Sequence, residues 1–470
     1  MTTKLVVRMP IFVQIYKKME SVNPYSQEII ARYDEINERE LNLLIEKNHQ
    51  AFTGWHVLSY WQRGTYFKKM AVLLREKKQE LGAIITSEMG KIIGESVAEI
   101  EKCAWLCDYY AEATAGLLKP EHYEADVSSS YVRFDPIGSV YGIMPWNFPF
   151  WQTLRAAVPT MMAGNTFLLK HAPNVQGCAH AIEHLFMDAG FPDSVFTNLV
   201  IPVELSDRVI ANPLVQGVTL TGSRRAGQAV AAAAGRHLKK SVMELGGSDP
   251  YIVLADAQFN ESCKTGVCSR MLNGGQVCIA AKRFIVEESI LEQFIEEQKT
   301  LLENMRLGDP MLETTDMGPM ARADLLENIE YQVNESAKMG ATILTGGSRL
   351  DNESWFYKPT LLINVKKGIP VYDEETFGPV SVVIPAKDPE EAIRIANDTI
   401  YGLGASLWTQ NIALAEKLAA KLEAGAVFIN GMTKSDPRLP FGGSKQSGFG
   451  RELSNYGIKE FTNIKTVWIK

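Results

Sequence analysis

The sequence predicts an α/β protein with two parallel sheets and a helical region ahead of them. From about residue 137 to residue 254, short apolar runs alternate with helical patterns, which is typical of βαβ units. A second alternation of strands and helices follows from Arg283 to Asn430. Residues 35–117 instead show long helical periodicity, which predicts several helices before the first sheet.

The first alternation defines five candidate strands of one parallel sheet with helices between them. The strands are Val140–Met144, Thr166–Leu169, Val195–Leu199, Val215–Leu220 and Tyr251–Leu254, and the helices are Gly177–Ala189 and Arg225–Ala234. The helices predicted in the second series lie near Ile290–Met305, Arg322–Met339 and Pro389–Asn397.

The stretch from Pro136 to Leu154 has no charged side chain over 19 residues, which is close to the length of a membrane span. It contains three prolines and Asn147, which fit poorly in a single spanning helix. We therefore predict a buried strand, Ser139 to Met144, that runs into a loop.

The composition is that of an ordinary globular protein. The 470 residues are 46% hydrophobic and 22% charged, and the net charge of −7 argues against nucleic acid as the main partner. Six cysteines without a Cys-x-x-Cys pair are too few for a disulfide framework, so reduced thiols and a cytoplasmic location are predicted. Residues 1–20 are basic and are predicted to be an N-terminal extension, with a transit peptide as the alternative.

One predicted helix carries a pattern that zinc sites also use, His180-Ala181-Ile182-Glu183-His184. A catalytic zinc ion needs a third ligand from elsewhere in the chain. The apolar residues of this helix leave both histidines on the side facing solvent. We therefore predict no metal site.

Two glycine-containing motifs indicate covalent catalysis. Glu244 lies in Met243–Gly247, and Cys278 ends the motif Asn273–Cys278. A thiol can attack a carbonyl, and a carboxylate can activate the water that releases the product. Either motif alone is weak, because a lone buried cysteine is usually a small apolar core residue. Together they predict a nucleophile and a general base.

A third candidate is the turn Gly222–Ser223 between the predicted strand Val215–Leu220 and an alanine-rich helix. The N-terminus of a helix after such a turn can bind a phosphate group. A purely structural entry into the helix gives the same pattern.

Further motifs, taken in order with these, resemble the aldehyde dehydrogenase superfamily from about Ser21 to Lys470. The motifs that carry the resemblance are Pro145-Trp146-Asn147-Phe148-Pro149, Lys170 at 23 residues after Asn147, Met243–Gly247, Asn273–Cys278, Glu375–Val380, and Pro440–Gly443 with Ser447 and Gly448.

The resemblance implies the aldehyde dehydrogenase fold with three parts. Residues 21–117 and 137–246 would form a Rossmann-like NAD(P)-binding domain, and residues 247–450 an α/β catalytic domain. Residues 118–136 and 451–470 would form a small β arm that builds a homodimer or homotetramer.

The resemblance also implies the reaction. Cys278 would attack an aldehyde to give a thiohemiacetal, whose oxyanion the Asn147 amide and the Cys278 backbone N–H would hold. Loss of hydride to the nicotinamide leaves a thioester, which water activated by Glu244 hydrolyses. Family branches that pass the acyl group to coenzyme A lack this glutamate, so a free acid is the expected product. The expected cofactor contacts are Trp146, Lys170, Pro173, Gly222, Ser223, Glu375 and Phe377.

Pro173 indicates the cofactor. NAD-preferring members often have a glutamate at this position, which binds the adenosine ribose and repels a 2′-phosphate. Because Pro173 removes both effects, we expect NADP to be used and NAD to be tolerated, with Lys170 as the main cation near the phosphate. The alternative is that Pro173 reflects only loop geometry.

Arg155 indicates the substrate, because a guanidinium in the substrate funnel can bind a carboxylate. Succinate-semialdehyde dehydrogenases resemble the sequence at this arginine and at the loop Ser435–Arg438. Ser435 would bind the far carboxylate, Arg438 would add charge, and Trp151 and Phe148 would narrow the funnel. Leu272 departs from those enzymes, some of which have a second arginine there.

Several alternatives stay open. Arg155 could form a structural salt bridge, and the substrate could be another small aldehyde such as lactaldehyde or glyceraldehyde. A non-catalytic structural use of the fold is a remote alternative, because nucleophile, base and oxyanion donor are all present. If the substrate is succinate semialdehyde, degradation of 4-aminobutyrate is the natural context.

Overall fold

The structure is a computed structural model and describes residues 18–470. Most of the predicted N-terminal extension, residues 1–17, lies outside the described residues. The strands are β1 (Lys18–Val22), β2 (Ile29–Asp34), β3 (Glu121–His122), β4 (Ser129–Pro136), β5 (Ser139–Met144), β6 (Thr166–His171), β7 (Phe196–Asn198), β8 (Val215–Thr221), β9 (Lys240–Glu244), β10 (Asp249–Val253), β11 (Ala281–Glu287), β12 (Thr342–Thr345), β13 (Thr360–Ile363), β14 (Val380–Ala386), β15 (Tyr401–Gly402), β16 (Gly404–Trp408), β17 (Ala426–Ile429), β18 (Ser444–Lys445), β19 (Gly448–Phe449) and β20 (Thr462–Ile469).

The helices agree with the helical and alternating regions that the sequence predicts. They are α1 (Glu38–Trp55), α2 (Tyr60–Glu76), α3 (Lys78–Met89), α4 (Ile93–Leu117), α5 (Pro149–Met162), α6 (Gln176–Asp188), α7 (Ser206–Ala211), α8 (Arg224–Arg236), α9 (Phe259–Met271), α10 (Leu291–Glu303), α11 (Ala323–Lys338), α12 (Pro370–Asp373), α13 (Pro389–Asn397), α14 (Ile412–Ala419) and α15 (Ser454–Glu460).

The first large sheet has the strand order β19-β9-β8-β5-β6-β7, and its strands are parallel except for β19. The chain continues from β5 to β6 on one side, whereas β8 and β9 extend the other side. The order therefore reverses between β5 and β8. In open α/β sheets, ligands bind beyond the carboxyl ends of the strands at such a switch point.

The second large sheet has the order β12-β13-β14-β11-β10-β16-β17, with only the β12–β13 pair antiparallel. The prediction placed Tyr251–Leu254 in the first sheet, and this was wrong, because β10 pairs with β11 and β16. A buried apolar run shows that a strand is present, but not which sheet it joins. The short link between β9 and β10 brings the two sheets together.

Helix α5 replaces the loop predicted after β5. All of its residues are buried, and it has a proline inside as well as at its start, which favours a loop when only the sequence is read. Pro149 is its first residue, where the fixed φ of proline favours a helix start. The Glu99 carboxylate accepts hydrogen bonds from the backbone N–H groups of Phe150 and Trp151, both at 2.9 Å. This negative charge also stabilises the N-terminal end of the helix dipole.

A three-stranded antiparallel sheet, β20-β4-β3, falls in the two segments predicted to form the arm. Ile464, Trp468 and Ile469 are exposed on β20. In contrast, β19 pairs with β9 in the first sheet, although its residues fall within the predicted catalytic domain. Within residues 18–470, no helix is long and apolar enough to cross a membrane.

Candidate active site

Cys278 follows a backbone turn that requires glycine. Asn273, Gly274 and Gly275 have φ angles of 53°, 60° and 75°, in the left-handed region. A Cβ on Gly275 would lie 2.2 Å from the carbonyl oxygen of Gly378. The paired glycines let the chain turn sharply after α9 and place Cys278 just before β11.

Hydrogen bonds fix this turn to its surroundings. The Asn147 amide nitrogen donates to the carbonyl oxygen of Gln276 at 2.9 Å, and the Asn273 amide donates to the carbonyl oxygen of Asn147 at 2.9 Å. Lys282 Nζ donates to the carbonyl oxygen of Cys278 at 2.6 Å. The structure thus brings the motifs that contain Asn147 and Cys278 into direct contact.

Cys278 lies where two cavities meet. One cavity has a volume of about 230 Å³ and is lined by aromatic side chains that include Phe148, Trp151 and Phe441. The other has a volume of about 410 Å³ and lies beyond the carboxyl ends of β5, β8 and β9. Because Cys278 contributes to both walls, its sulfur can reach one ligand from each side.

The larger cavity collects five residues that the sequence assigned to the cofactor, Trp146, Gly222, Ser223, Glu375 and Phe377. The rings of Trp146 and Phe377 meet edge to face, with centroids 5.8 Å apart. The Ser223 side chain caps α8 by accepting a hydrogen bond from the third residue of the helix. A phosphate group fits this helix N-terminus, since unpaired backbone N–H groups point from it.

Glu375 connects the cofactor side of the site to the nucleophile. Its Oε1 accepts a hydrogen bond from the Gly247 backbone N–H at 3.0 Å and lies 3.4 Å from Lys282 Nζ. A Cβ on Gly246 would lie 2.2 Å from Glu375 Oε2, so the paired glycines of the glutamate motif make room for this carboxylate.

Lys170 and Pro173 lie outside the wall of the larger cavity. Lys170 is near the carboxyl end of β6, in register with Ile143 of β5. Burial lowers the pKa of Lys170, and the charges of Glu204 and Glu35 oppose this shift. Contacts of Lys170 and Pro173 with a cofactor stay predictions.

Glu244 ends β9 in a buried cluster of charges. Burial raises the pKa of its carboxyl well above the usual value, the Glu452 charge adds to this, and Arg155 opposes it. Among the described residues, neither carboxylate oxygen of Glu244 has a hydrogen-bond partner. A carboxyl with a raised pKa accepts a proton more readily, which suits a general base.

Comparison with known proteins decides the family. A model of the aldehyde dehydrogenase family matches residues 12–467. The chain belongs to the aldehyde dehydrogenase family. The fold expected from the sequence motifs is thereby confirmed.

Curated relatives of this aldehyde dehydrogenase match it over nearly their full length. A probable succinate-semialdehyde dehydrogenase [NADP(+)] of Synechocystis sp. PCC 6803 is 46% identical over 96% of this chain and 99% of its own. A succinate semialdehyde dehydrogenase [NAD(P)+] of Escherichia coli K12 is 43% identical over 95% and 97%. The crystal structure of succinic semialdehyde dehydrogenase from Streptococcus pyogenes with NADP+ superimposes with a TM-score of 0.94, at 35% identity over 96% and 99%.

The thiol of this aldehyde dehydrogenase is neutral in the absence of ligands. Burial raises the pKa of Cys278 to about 11, and the positive charges of Arg155 and Lys282 only partly oppose this. The thiolate is the nucleophilic form. At neutral pH only a small fraction of the Cys278 thiol is therefore ionised when the site is empty.

We predict that alkylation of Cys278 by iodoacetamide without cofactor accelerates roughly tenfold per pH unit from pH 7 to pH 10, because only the thiolate reacts. Mass spectrometry of the modified peptide measures this rate. Cys268, an exposed thiol on α9, provides an internal comparison. A plateau for Cys278 below pH 8 would show that the empty site already stabilises the thiolate.

Arg155 lines the aromatic cavity, and it forms the structural salt bridge that the sequence left open as an alternative. The guanidinium is buried and contacts the Glu452 carboxylate directly. It also lies over the Phe441 ring, 4.5 Å from the centroid. A contact between Arg155 and a substrate stays a prediction. The guanidinium charge is already paired with the Glu452 carboxylate.

Phe148, Trp151 and Ser435 line the same cavity as predicted for the substrate funnel, but Arg438 does not. Arg438 donates two hydrogen bonds to the Asp436 carboxylate, at 2.9 and 2.6 Å, and most of its side chain is exposed. This ion pair holds the guanidinium outside the cavity. A contact between Arg438 and the substrate stays a prediction.

The sequence analysis missed Lys102, Lys282 and Arg322. Lys102 lines the aromatic cavity, Lys282 contacts the nucleophile turn, and Arg322 lies 5.6 Å above the Trp146 ring. Lysine and arginine are common on helices and strands, so none of the three had a local signal. The helical spacing of Glu95, Glu99 and Lys102 indicates one shared face of α4, but not what that face meets.

The described residues contain no group of three or more His, Cys, Asp and Glu side chains that could hold a metal ion. In the helix with the zinc-like pattern, His180 stacks on Tyr33 with ring centroids 5.2 Å apart. Glu183 accepts a hydrogen bond from the Asn198 backbone N–H at 2.8 Å. Packing and hydrogen bonding thus account for these two residues.

Proposed function

We propose that this protein oxidises succinate semialdehyde to succinate and uses NADP as the hydride acceptor, with NAD as a tolerated substitute. The observation that carries the proposal is the position of Cys278 between a cleft at the sheet's switch point and a small aromatic cavity with polar side chains. The names of the relatives support both the substrate and the cofactor.

Cys278 supplies the nucleophile in the proposed reaction. Its sulfur attacks the aldehyde carbon to form a thiohemiacetal, and the Asn147 amide and the Cys278 backbone N–H stabilise the oxyanion. NADP, when bound, accepts the hydride that leaves this carbon. The product on the enzyme is a thioester of Cys278.

Glu244 acts in the second half of the reaction. The carboxylate takes a proton from water, the water oxygen attacks the thioester carbon, and the C–S bond breaks, so that succinate leaves and Cys278 is regenerated. Burial, and after it the charge of Glu452, raise the pKa of Glu244, which makes its carboxylate a stronger base for this transfer.

The fold supports binding of the dinucleotide at the α8 N-terminus and against the Trp146 and Phe377 rings. Glu375 would accept a hydrogen bond from a ribose hydroxyl. Lys170 supplies a buried positive charge near the end of β6, and Pro173 places no negative charge beside it.

Initial-rate kinetics with purified protein test the proposal. Succinate semialdehyde is compared with propanal, lactaldehyde and glyceraldehyde, each with NADP and with NAD. We expect kcat/KM for succinate semialdehyde to exceed that for propanal at least ~100-fold, or about 2.7 kcal/mol, and NADP to be preferred. A higher kcat/KM for lactaldehyde or glyceraldehyde would assign the enzyme to that aldehyde instead.

We further propose assembly into a homodimer or homotetramer through the β20-β4-β3 sheet. The exposed Ile464, Trp468 and Ile469 side chains on β20 support a contact with a second copy. Light scattering of the purified protein distinguishes monomer, dimer and tetramer.

We also propose a cytoplasmic location and a part in 4-aminobutyrate degradation. Cell fractionation tests the location. Growth of a deletion strain on 4-aminobutyrate tests the part in degradation.

A further inference from the structure

Lys102 extends from α4 to the aromatic cavity beside Cys278. Its Nζ donates a hydrogen bond to Ser435 Oγ at 2.9 Å and lies 4.1 Å from the centroid of the Trp151 ring. All three side chains line the cavity. The lysine ammonium and the serine hydroxyl therefore form one polar site on an otherwise largely apolar wall.

Of the other cations near this cavity, Arg155 and Lys91 have carboxylate partners, and Lys434 lines the cavity with a side chain that is exposed to solvent. Arg155 contacts Glu452, and Lys91 Nζ lies 2.5 Å from Glu99 Oε2 with both side chains buried. Lys102, by contrast, forms no ion pair with any residue in the range 18–470. Lys102 is partly buried, and desolvation of an ammonium without a carboxylate partner is costly, so its presence at a cavity wall points to a negatively charged ligand.

We propose that Lys102, together with Ser435, binds the carboxylate of the aldehyde substrate and thereby sets the specificity of the enzyme for a semialdehyde acid. Lys102 supplies the charge. Ser435 accepts a hydrogen bond from Lys102 and keeps its own hydroxyl hydrogen to donate to the carboxylate. Trp151 stabilises the ammonium through its ring face.

This inference rests on the proposed function and changes its substrate contact. Arg155 was the expected carboxylate clamp, but its guanidinium already has a buried carboxylate partner. A second carboxylate at Arg155 would have to share that charge with Glu452. Lys102 faces the same cavity without this competition.

A pH dependence follows from the groups that face Lys102. Burial, and to a smaller extent the charge of Arg155, lower the pKa of Lys102 to about 8. Cys103 and Glu99 on α4, and Asp436 beside Ser435, act in the opposite direction. The ammonium is thus present below about pH 8 and is lost above it. The preference for a carboxylate substrate should fall as the pH rises through this value.

The experiment compares succinate semialdehyde with butanal, which has the same four-carbon chain without the carboxylate. Lys102→Met removes the charge and keeps an unbranched side chain against Trp151, whereas Lys102→Arg keeps the charge. Lys47→Met is the matched control, because Lys47 is an exposed lysine on helix α1 and lines neither cavity. Thermal unfolding and alkylation of Cys278 by iodoacetamide check that each variant is folded.

We expect Lys102→Met to lower the ratio of kcat/KM for succinate semialdehyde to kcat/KM for butanal at least ~30-fold, mainly through KM for the semialdehyde. Lys102→Arg should recover much of this ratio, and Lys47→Met should change it less than ~3-fold, because solvent screens an exposed charge far from the cavity. The wild-type ratio should fall between pH 7 and pH 9.5. Comparing two substrates cancels the titration of Cys278, which both share.

The outcomes separate this inference from the function that it refines. A wild-type ratio near one would overturn the proposed substrate and, with it, the role of Lys102. A high wild-type ratio that survives in folded Lys102→Met would leave the function standing and assign the carboxylate to another residue.

Discussion

Replacement of Cys278 by alanine is expected to abolish aldehyde oxidation and to leave NADP binding intact. The mechanism has no second nucleophile, so kcat should fall at least ~10⁴-fold. The fold should tolerate the change, because the contacts that hold the turn are made by Asn147 and Lys282 to backbone oxygens. Formation of NADPH measures the activity, and quenching of tryptophan fluorescence measures NADP binding.

Cys268→Ala is the matched control for this variant, because Cys268 is an exposed thiol on the helix before the nucleophile turn. It should keep wild-type kinetics within about twofold. Turnover above about 1% of wild type in Cys278→Ala would reject covalent catalysis at this residue. Loss of NADP binding would instead show that the thiol shapes the cofactor cleft.

Arg155→Ala is expected to destabilise the protein by about 3–5 kcal/mol, since it leaves the Glu452 carboxylate buried without its partner. It also removes the guanidinium from the Phe441 ring. The midpoint of urea unfolding at pH 7.5 measures the effect. Without the arginine, the raised pKa of Glu452 should rise further, so the loss of stability should shrink as the pH falls and Glu452 becomes protonated.

The double variant Arg155→Ala with Glu452→Gln is the control, because it removes both charges and should recover part of the stability. An unchanged unfolding midpoint in Arg155→Ala would mean that the ion pair contributes little in solution. Arg155 would then be free to bind a carboxylate, and it would compete with Lys102 as the specificity residue.

The parts of the fold with local patterns could be predicted from the sequence. Strands β5 and β8 and helix α8 end within two residues of their predicted bounds, because apolar runs and helical faces alternate clearly there. The turn before Cys278 was predictable from its glycines, since only glycine fits the close approach at Gly275. The motif order then indicated the family.

Features that depend on distant partners could not be predicted. Arg155 and Glu452 are far apart in the sequence, and neither neighbourhood shows that they meet. Arg438 was assigned to the substrate from the resemblance of its loop, and the sequence did not show that it pairs with Asp436. Helix α5 was missed because the prolines at and before its start favour a loop, whereas Pro149 occupies the first helical position in the structure.

The neutral thiol of Cys278 has a consequence for the survival of the enzyme. An aldehyde dehydrogenase is exposed to electrophiles and, in aerobic cells, to peroxides. Both attack thiolates far faster than thiols. When the site is empty, the Cys278 sulfur is mostly protonated and reacts slowly with both reagents. Enzyme molecules without bound ligands should therefore lose little activity through oxidation or alkylation of this thiol.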